Sequence, residues 1–260
     1  MKISIITVTY NSEKTVEDTF NSVLEQTYSD IEYIVVDGKS TDNTVDIIKK
    51  YEPLFKGRMH WICKPDKGIY DALNKGIRLA TGDIIGFTHS DDMLASPDII
   101  QKISYAFSSP SNIGKENINI SGVYGNLLFF SGKKPNKIIR TWTSKPFNHK
   151  NIKYGWVPPH PTLFLKKEVY KKCGLFDISF RISGDYDFML RIMKDKKINL
   201  VSLPEIITKM RIGGKSTGNL KQIIVKSMED IRALHKNGFR FPLFTLSAKN
   251  IRKLPQLLKR

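Results

Sequence analysis

Residues 67–92 read KGIYDALNKGIRLATGDIIGFTHSDD. The first part, GIYDALNKGIRLA, has the pattern of a helix, and GDIIGF (Gly82 to Phe87) is an apolar run of the kind that forms a buried strand. That strand closes on two adjacent aspartates, Asp91 and Asp92. Neighbouring carboxylates repel each other, so both need solvation or a cation. One reading makes Asp92 or Ser96 the N-cap of a helix starting near Pro97. The other makes the pair a divalent-metal site.

Working outward, the same alternation repeats. ISIITVT (Ile3–Thr9) and IEYIVVD (Ile31–Asp37) are β-branched apolar runs, and each is followed by a capped helical pattern. MHWICK is a third strand. Strands alternating with helices through short connections predict parallel βαβ units and an α/β fold of doubly wound type. Ligands of such folds sit beyond the carboxyl ends of the strands. Those ends carry Thr9, Tyr10 and Asn11, then Asp37 to Asp42, Lys64 to Lys67, and His89 to Asp92. Asp37 is placed to accept hydrogen bonds from a nucleoside, whereas Asp42 reads as an N-cap. Lys67 and Gly68 precede a helix whose N-terminus attracts phosphate. With a nucleoside diphosphate in that crevice, Mg²⁺ or Mn²⁺ on one carboxylate of the SDD turn would neutralise the pyrophosphate.

Past about residue 105 the pattern loosens. GVYGNLLFFSGKKPNKIIRTW reads as a hairpin turning around Gly132–Asn136. PPHPT puts His160 between prolines, as a pocket-wall residue. SGDYD (Ser183–Asp187) opens a helix near Ser183 or Asp185. Asp185 and Asp187 are too close to share a helix face, so one should look into a cleft and the other outward. Acids favoured by the helix macrodipole are the alternative. INLVSLPEII is a strand, and MRIGGKSTGN is a Gly-rich loop that would close over an anion with Arg211 and Lys215. A long helix should run from Leu220 to His235.

The 260 residues carry a net charge of +17. Residues 1–100 hold 11 Lys and Arg against 16 Asp and Glu, whereas residues 101–260 hold 31 against 9. The second part should therefore meet something anionic or stay solvated. Two distant cysteines, Cys63 and Cys173, argue against structural zinc and a disulfide framework, and suit a reducing cytoplasm. The apolar run after Met1 is too short for a signal peptide, and no apolar stretch is long enough to span a membrane.

ITVTYN, VVDGKSTDNT, KGIYDALNKGIRLATGDIIGFTHSDD, HPTLFLKKEVYKKCGLFD and SGDYDFMLRI, in this order, resemble the family 2 glycosyltransferases, and within them the subgroup that makes bacterial surface polysaccharides such as capsule, colanic acid or O-antigen. The resemblance implies a GT-A fold: a Rossmann-like, mostly parallel sheet flanked by helices, a smaller antiparallel acceptor-side portion and a C-terminal helical tail. It implies a nucleotide-binding half at 1–105, an acceptor and catalytic-base half at 106–216 and a basic tail at 217–260. It implies a UDP-sugar donor, inversion at the anomeric carbon and a glycan or lipid-linked acceptor. Thr9, Tyr10 and Asp37 would then line the nucleoside pocket. Asp91 would meet the ribose or a metal-bound water, Asp92 would hold Mn²⁺ or Mg²⁺, and Asp185 would be the base. His89 stands where the subgroup commonly has Asn or Asp, and Gly184 where it has an acid. The Q-x-x-R-W signature of processive members is absent, which favours single additions. A cytoplasmic enzyme touching the inner membrane face through its basic C-terminal half follows, with a homodimer contact as the other use of the tail. A sugar-phosphate nucleotidyltransferase is disfavoured because TYNSEKT replaces a Gly-rich basic loop after the first strand. A nucleic-acid binder is disfavoured because the acidic strand ends repel phosphate.

Overall fold

Two seven-residue strands, β1 (Ile3–Thr9) and β2 (Ile31–Asp37), lie parallel with Ile3 beside Ile31 and Thr9 beside Asp37. Every residue of both is buried, because side chains of alternating parity serve two different cores. Ile6, Val8, Ile34 and Val36 join one core, and Ile3, Ile5, Tyr33 and Val35 join the other. The computed structural model describes residues 1–108, 119–132, 137–212 and 220–252.

Two more strands and three helices build out the first half. Strands β3 (Met59–Cys63) and β4 (Ile84–Phe87) pair parallel with β2 and β1, and α1 (Val16–Leu24), α2 (Thr44–Tyr51) and α3 (Ile69–Leu79) are the crossovers. Helices α1 and α2 cover one face through Val16, Phe20, Val23 and Ile48, joined by Ile99 and Ile103 of α4 (Ile99–Ser108). Helix α3 covers the other face through Tyr70, Leu73 and Ile77. Each fully buried aliphatic side chain of this kind contributes about 1.5–3 kcal/mol.

The sheet continues into the second half without a break. β5 (Asp92–Leu94), β6 (Gly122–Ser131), β7 (Ile138–Trp142), β8 (Phe164–Lys166) and β9 (Leu200–Ile212) extend it to nine strands among the described residues. Their order is β3-β2-β1-β4-β8-β6-β9-β5, with β7 on β6. Strand β8 is the hinge between halves, antiparallel to both β4 and β6. The crossing is so close that a Cβ on Gly86 would lie 2.1 Å from the Phe164 ring. Helices α5 (Lys167–Cys173) and α6 (Gly184–Lys194) follow, then α7 (Leu220–Lys236) and α8 (Pro242–Ile251). Ala233 and Leu234 of α7 and Leu246 of α8 belong to the same core as α3 and α6, so the C-terminal helices are packed rather than trailing.

Three expectations change. Met210, Arg211 and Ile212 are not loop, because β9 runs on beside β6 with Arg211 opposite Phe130 and Ile212 opposite Ser131. Lys215 and the glycines around it lie outside the described residues. Asp92 caps no helix: it opens β5, opposite Met210 of β9, and Ile99 bonds through its N–H to the Ser96 carbonyl instead. Asp187 does not face outward. It is fully buried, accepting from Arg191 Nε at 3.1 Å and Asn237 Nδ2 at 2.9 Å, and it pins α6 to the end of α7.

Candidate active site

The carboxyl ends of β1, β2 and β3 are brought level by register, which sets Thr9, Asp37 and Cys63 side by side. Asp37 is fully buried and accepts from Thr9 Oγ1 (2.9 Å), Ser40 N (2.9 Å), Ser40 Oγ (2.5 Å) and the Cys63 thiol (3.2 Å). Its first work is therefore to shape the loop after β2. Asn11 stitches that loop to the one after β1: its N–H donates to Ser40 Oγ, and its Oδ1 accepts from Thr41 N. Asn11 and Lys39 both hold left-handed backbones, with φ of 49° and 66°. Such strain in non-glycine residues collects at ligand-binding rims. Asp42 is not the N-cap itself: Asn43 holds that place, and Asp42, one residue ahead, accepts from Thr44 N and Oγ1. Tyr10 is exposed at the rim, and Lys67 is exposed just ahead of α3, where Gly68 takes φ 117°.

The acidic turn after β4 is held from outside. Thr19 of α1 donates to the carbonyls of His89 and Asp92, and Ser12 donates to Ser90 Oγ. Within the turn the aspartates part company. Asp91 is half-buried, whereas Asp92 is fully buried and neither of its carboxylate oxygens has a hydrogen-bond partner. Burial pushes the Asp92 carboxyl well above the usual range, and the Asp91 charge adds to the shift, while Arg211 opposes it. Thr88 Oγ1, His89 Nδ1 and Arg211 Nε are also buried without partners. Native structures leave few such atoms, and a cluster of them marks the place of an ion, a water or a ligand.

Asp185 closes the other side. It stands in the first turn of α6, accepts from Tyr186 N at 2.8 Å, and lies 3.3 Å from the hydroxyl of Tyr70, which donates to the Ile182 carbonyl at 2.5 Å. A Cβ on Gly184 would sit 2.8 Å from the Tyr70 ring, so the glycine is what lets α3 approach α6. Between Asp185 and the acidic turn stand two histidines with ring centres 6.3 Å apart, His89 and His160. His160 stacks on Phe87 at 5.5 Å. Burial depresses both imidazoles, His160 to about 4, with the charge of Asp185 opposing in each case. Both rings are therefore neutral near pH 7.

The fold thus brings His89, Asp91, Asp92, His160 and Asp185 within electrostatic reach of one another beyond the end of β4, while register sets Thr9 beside Asp37 and Lys67 stands ahead of α3. Arg211 reaches the acidic turn from β9 rather than from a lid. It pairs with Asp18 and stacks on Phe130 at 5.0 Å. Tyr70 and Glu229 were not singled out in the sequence. Gly68-Ile-Tyr at a helix start held the only hint of the first, and an acid inside a strongly basic tail held the only hint of the second.

Residues 4–113 match the family model described as glycosyl transferase family 2. A glycosyltransferase of Mycobacterium tuberculosis is 34% identical over 191 residues, covering 73% of this chain and 68% of the relative. A PGL/p-HBAD biosynthesis glycosyltransferase of Mycobacterium bovis is 28% identical over 190 residues, covering 72% of this chain and 68% of the relative. Staphylococcus aureus TarS, solved with UDP-GlcNAc, superposes with a TM-score of 0.69 at 18% identity, over 98% of this chain and 73% of that one. The mannosyltransferase PcManGT of Pyrobaculum calidifontis, solved with GDP-Man and Mn²⁺, gives 0.66 at 17% identity, over 98% and 70%. These solved structures are of GT-A type, and at such identities their likeness speaks for the fold alone.

Proposed function

The chain belongs to glycosyl transferase family 2, and on that footing we propose that it moves a sugar from a nucleotide-sugar, a UDP-sugar first, to a hydroxyl of a glycan or lipid-linked acceptor, with inversion at the anomeric carbon. The observation that carries this reading is Asp92, buried and bare at both oxygens beside Asp91. Hard oxygen donors suit Mg²⁺ or Mn²⁺. Among the described residues no three His, Cys, Asp or Glu side chains are placed to hold a metal, so diphosphate oxygens and water would complete the shell. The residues fit a cation shared between protein and substrate. Such a cation, when bound, supplies Lewis-acid stabilisation of the leaving diphosphate.

The division of labour then follows the crevice. Residues 1–105 bind the donor, with Thr9, Tyr10, Asn11 and Asp37 at the nucleoside, Lys67 and the α3 N-terminus at phosphate, and Asp91 at the ribose. Residues 106–216 bring Asp185 and His160 to the acceptor, and 217–260 form the basic tail. Asp185 takes the proton of the acceptor hydroxyl as its oxygen bonds to the anomeric carbon and the bond to diphosphate breaks. One displacement with acid and base on opposite faces inverts the centre. The neutral rings of His89 and His160 wall the crevice without adding charge beside the base. TarS and PcManGT, solved with UDP-GlcNAc and GDP-Man, support a panel of both nucleotides. The PGL/p-HBAD relative supports a role in polysaccharide or glycolipid synthesis.

Thermal shift with UDP and GDP, each with and without Mn²⁺, tests the donor reading. Ligand at about 100 times its Kd stabilises by about 2.7 kcal/mol, which raises Tm by roughly 5–10 °C in a chain of this size. The rise should appear with one diphosphate and require the cation. No rise with either nucleotide would reject the reading.

The tail supports a peripheral membrane contact. Ile223, Ile224 and Met228 of α7 and Leu243, Phe244 and Ile251 of α8 are exposed, with Arg240 and Arg252 near the α8 ends. Apolar side chains flanked by cations suit an anionic bilayer surface. No helix among the described residues is long and apolar enough to cross a membrane. The protein should co-sediment with phosphatidylglycerol-containing vesicles, release at high salt and ignore pure phosphatidylcholine. Failure to bind anionic vesicles, or a dimer that hides these residues, would overturn the contact.

A further inference from the structure

The helix that carries Asp185 is held at its first turn by a residue from the tail. Glu229 of α7 accepts from three successive backbone N–H groups, Arg181 (2.9 Å), Ile182 (2.8 Å) and Ser183 (2.9 Å). A row of consecutive N–H groups ahead of a helix is an anion cradle, and here a side chain from 46 residues downstream fills it. Ile182 is also the residue whose carbonyl receives the Tyr70 hydroxyl, and that hydroxyl is the one beside Asp185. Glu229 on one side and Tyr70 on the other thus fix the Ile182–Ser183 peptide, two residues ahead of Asp185.

The grip is reinforced by the next residue. Asp230 is buried and ion-paired to Lys226 (3.1 Å) and Lys249 (2.8 Å), and the Lys249 ammonium lies 3.3 Å from the centre of the Tyr186 ring. Charge on both lysines holds the Asp230 carboxyl below its usual range against the cost of burial. Two adjacent carboxylates of α7 therefore hold the residues just before Asp185 and the residue just after it. Neither touches the crevice itself.

We propose that Glu229 is a positioning residue for Asp185, so that the C-terminal helices complete the catalytic side of the crevice as well as any surface contact they make. The inference rests on Asp185 being the base. A carboxylate that must lie within hydrogen-bond reach of an acceptor hydroxyl tolerates little displacement, and a shift of about 1 Å costs about 10²-fold in rate. Loosening three N–H anchors should therefore reach the reaction through Asp185 while leaving the donor crevice intact.

The test uses the full chain and the rate of nucleoside diphosphate release from UDP-glucose, UDP-GlcNAc or GDP-mannose, whichever is turned over, with water as acceptor. Glu229→Ala should lower kcat by about 10–100-fold, with the donor KM within about twofold of the parent. Glu229→Gln, which keeps an accepting oxygen, should recover much of the loss, and it carries the test if the alanine variant does not fold. In an Asp185→Asn background, Glu229→Ala should cost almost nothing further, because groups that act as a unit are non-additive. A brace that merely stabilises the fold would lower the rate equally in both backgrounds, and that result would overturn the proposal. So would parent-like kcat in Glu229→Ala beside an inactive Asp185→Asn. Parent-like turnover in Asp185→Asn would instead overturn the base assignment.

Discussion

Asp92→Asn should lose Mn²⁺-dependent turnover by about 10²–10⁴-fold, because cation neutralisation of a leaving diphosphate is worth several kcal/mol and each 1.36 kcal/mol is about a decade of rate. The same variant should not lose stability, since the parent buries a carboxyl whose oxygens have no partner. The pH dependence gives the sign. Burial raises the Asp92 pKa in the folded chain above its unfolded value, so the folded state binds the extra proton. Stability without metal should then fall as pH rises from the ordinary aspartate range of about 3.9 toward the raised folded value. Cation affinity should rise across that window, because the metal needs the ionised form. Calorimetry of parent and variant over pH, with and without Mn²⁺, separates the two. A parent with no such excess slope, or a variant that keeps cation-dependent nucleotide binding, would remove Asp92 from the metal role.

Asp185→Asn should lower sugar transfer by about 10²–10⁴-fold, the usual contribution of a general base, and leave nucleotide binding as it was. The shape is conserved, the Tyr186 N–H still finds an accepting oxygen, and the Tyr70 hydroxyl keeps the Ile182 carbonyl. Nothing in the donor crevice needs to move. Titration with the nucleoside diphosphate should give a parent-like Kd beside the lost turnover. A comparable kcat would reject Asp185 as the base, and a lost Kd would mean that the residue holds the donor instead.

The parallel half was legible because its signals are local. ISIITVT and IEYIVVD announce strands buried on both faces, and register alone then sets Thr9 beside Asp37. The acidic turn could be placed at a strand end, but the fates of its two carboxylates could not be told apart. What separates Asp92 from Asp91 is Thr19 holding the turn and β9 pairing beside it, contacts made across 73 residues and across the whole second half. Asp187 was misplaced for the same reason, since its partners Lys236 and Asn237 lie far along the chain. The helical spacing that kept it off the face of Asp185 said nothing about what waited on the other face. Arg211 was read from neighbouring glycines, while pairing with β6 decided its conformation. Glu229 offered no more than its place as an acid in a basic tail.

The contact between α7 and α6 also bears on how such a chain can be recombined. Asp187 with Lys236 and Asn237, and the amides of Arg181, Ile182 and Ser183 with Glu229, form one polar seam between segments that a linear map would cut apart. A chimaera that grafts a foreign C-terminus at residue 217 would inherit half of that seam, with a buried aspartate and a row of amide hydrogens left facing strangers. The acceptor portion and the last helices should therefore travel between homologues as a single cassette, provided that the close fits of Gly86 on Phe164 and of Tyr70 on Gly184 are kept across the β4–β8 junction.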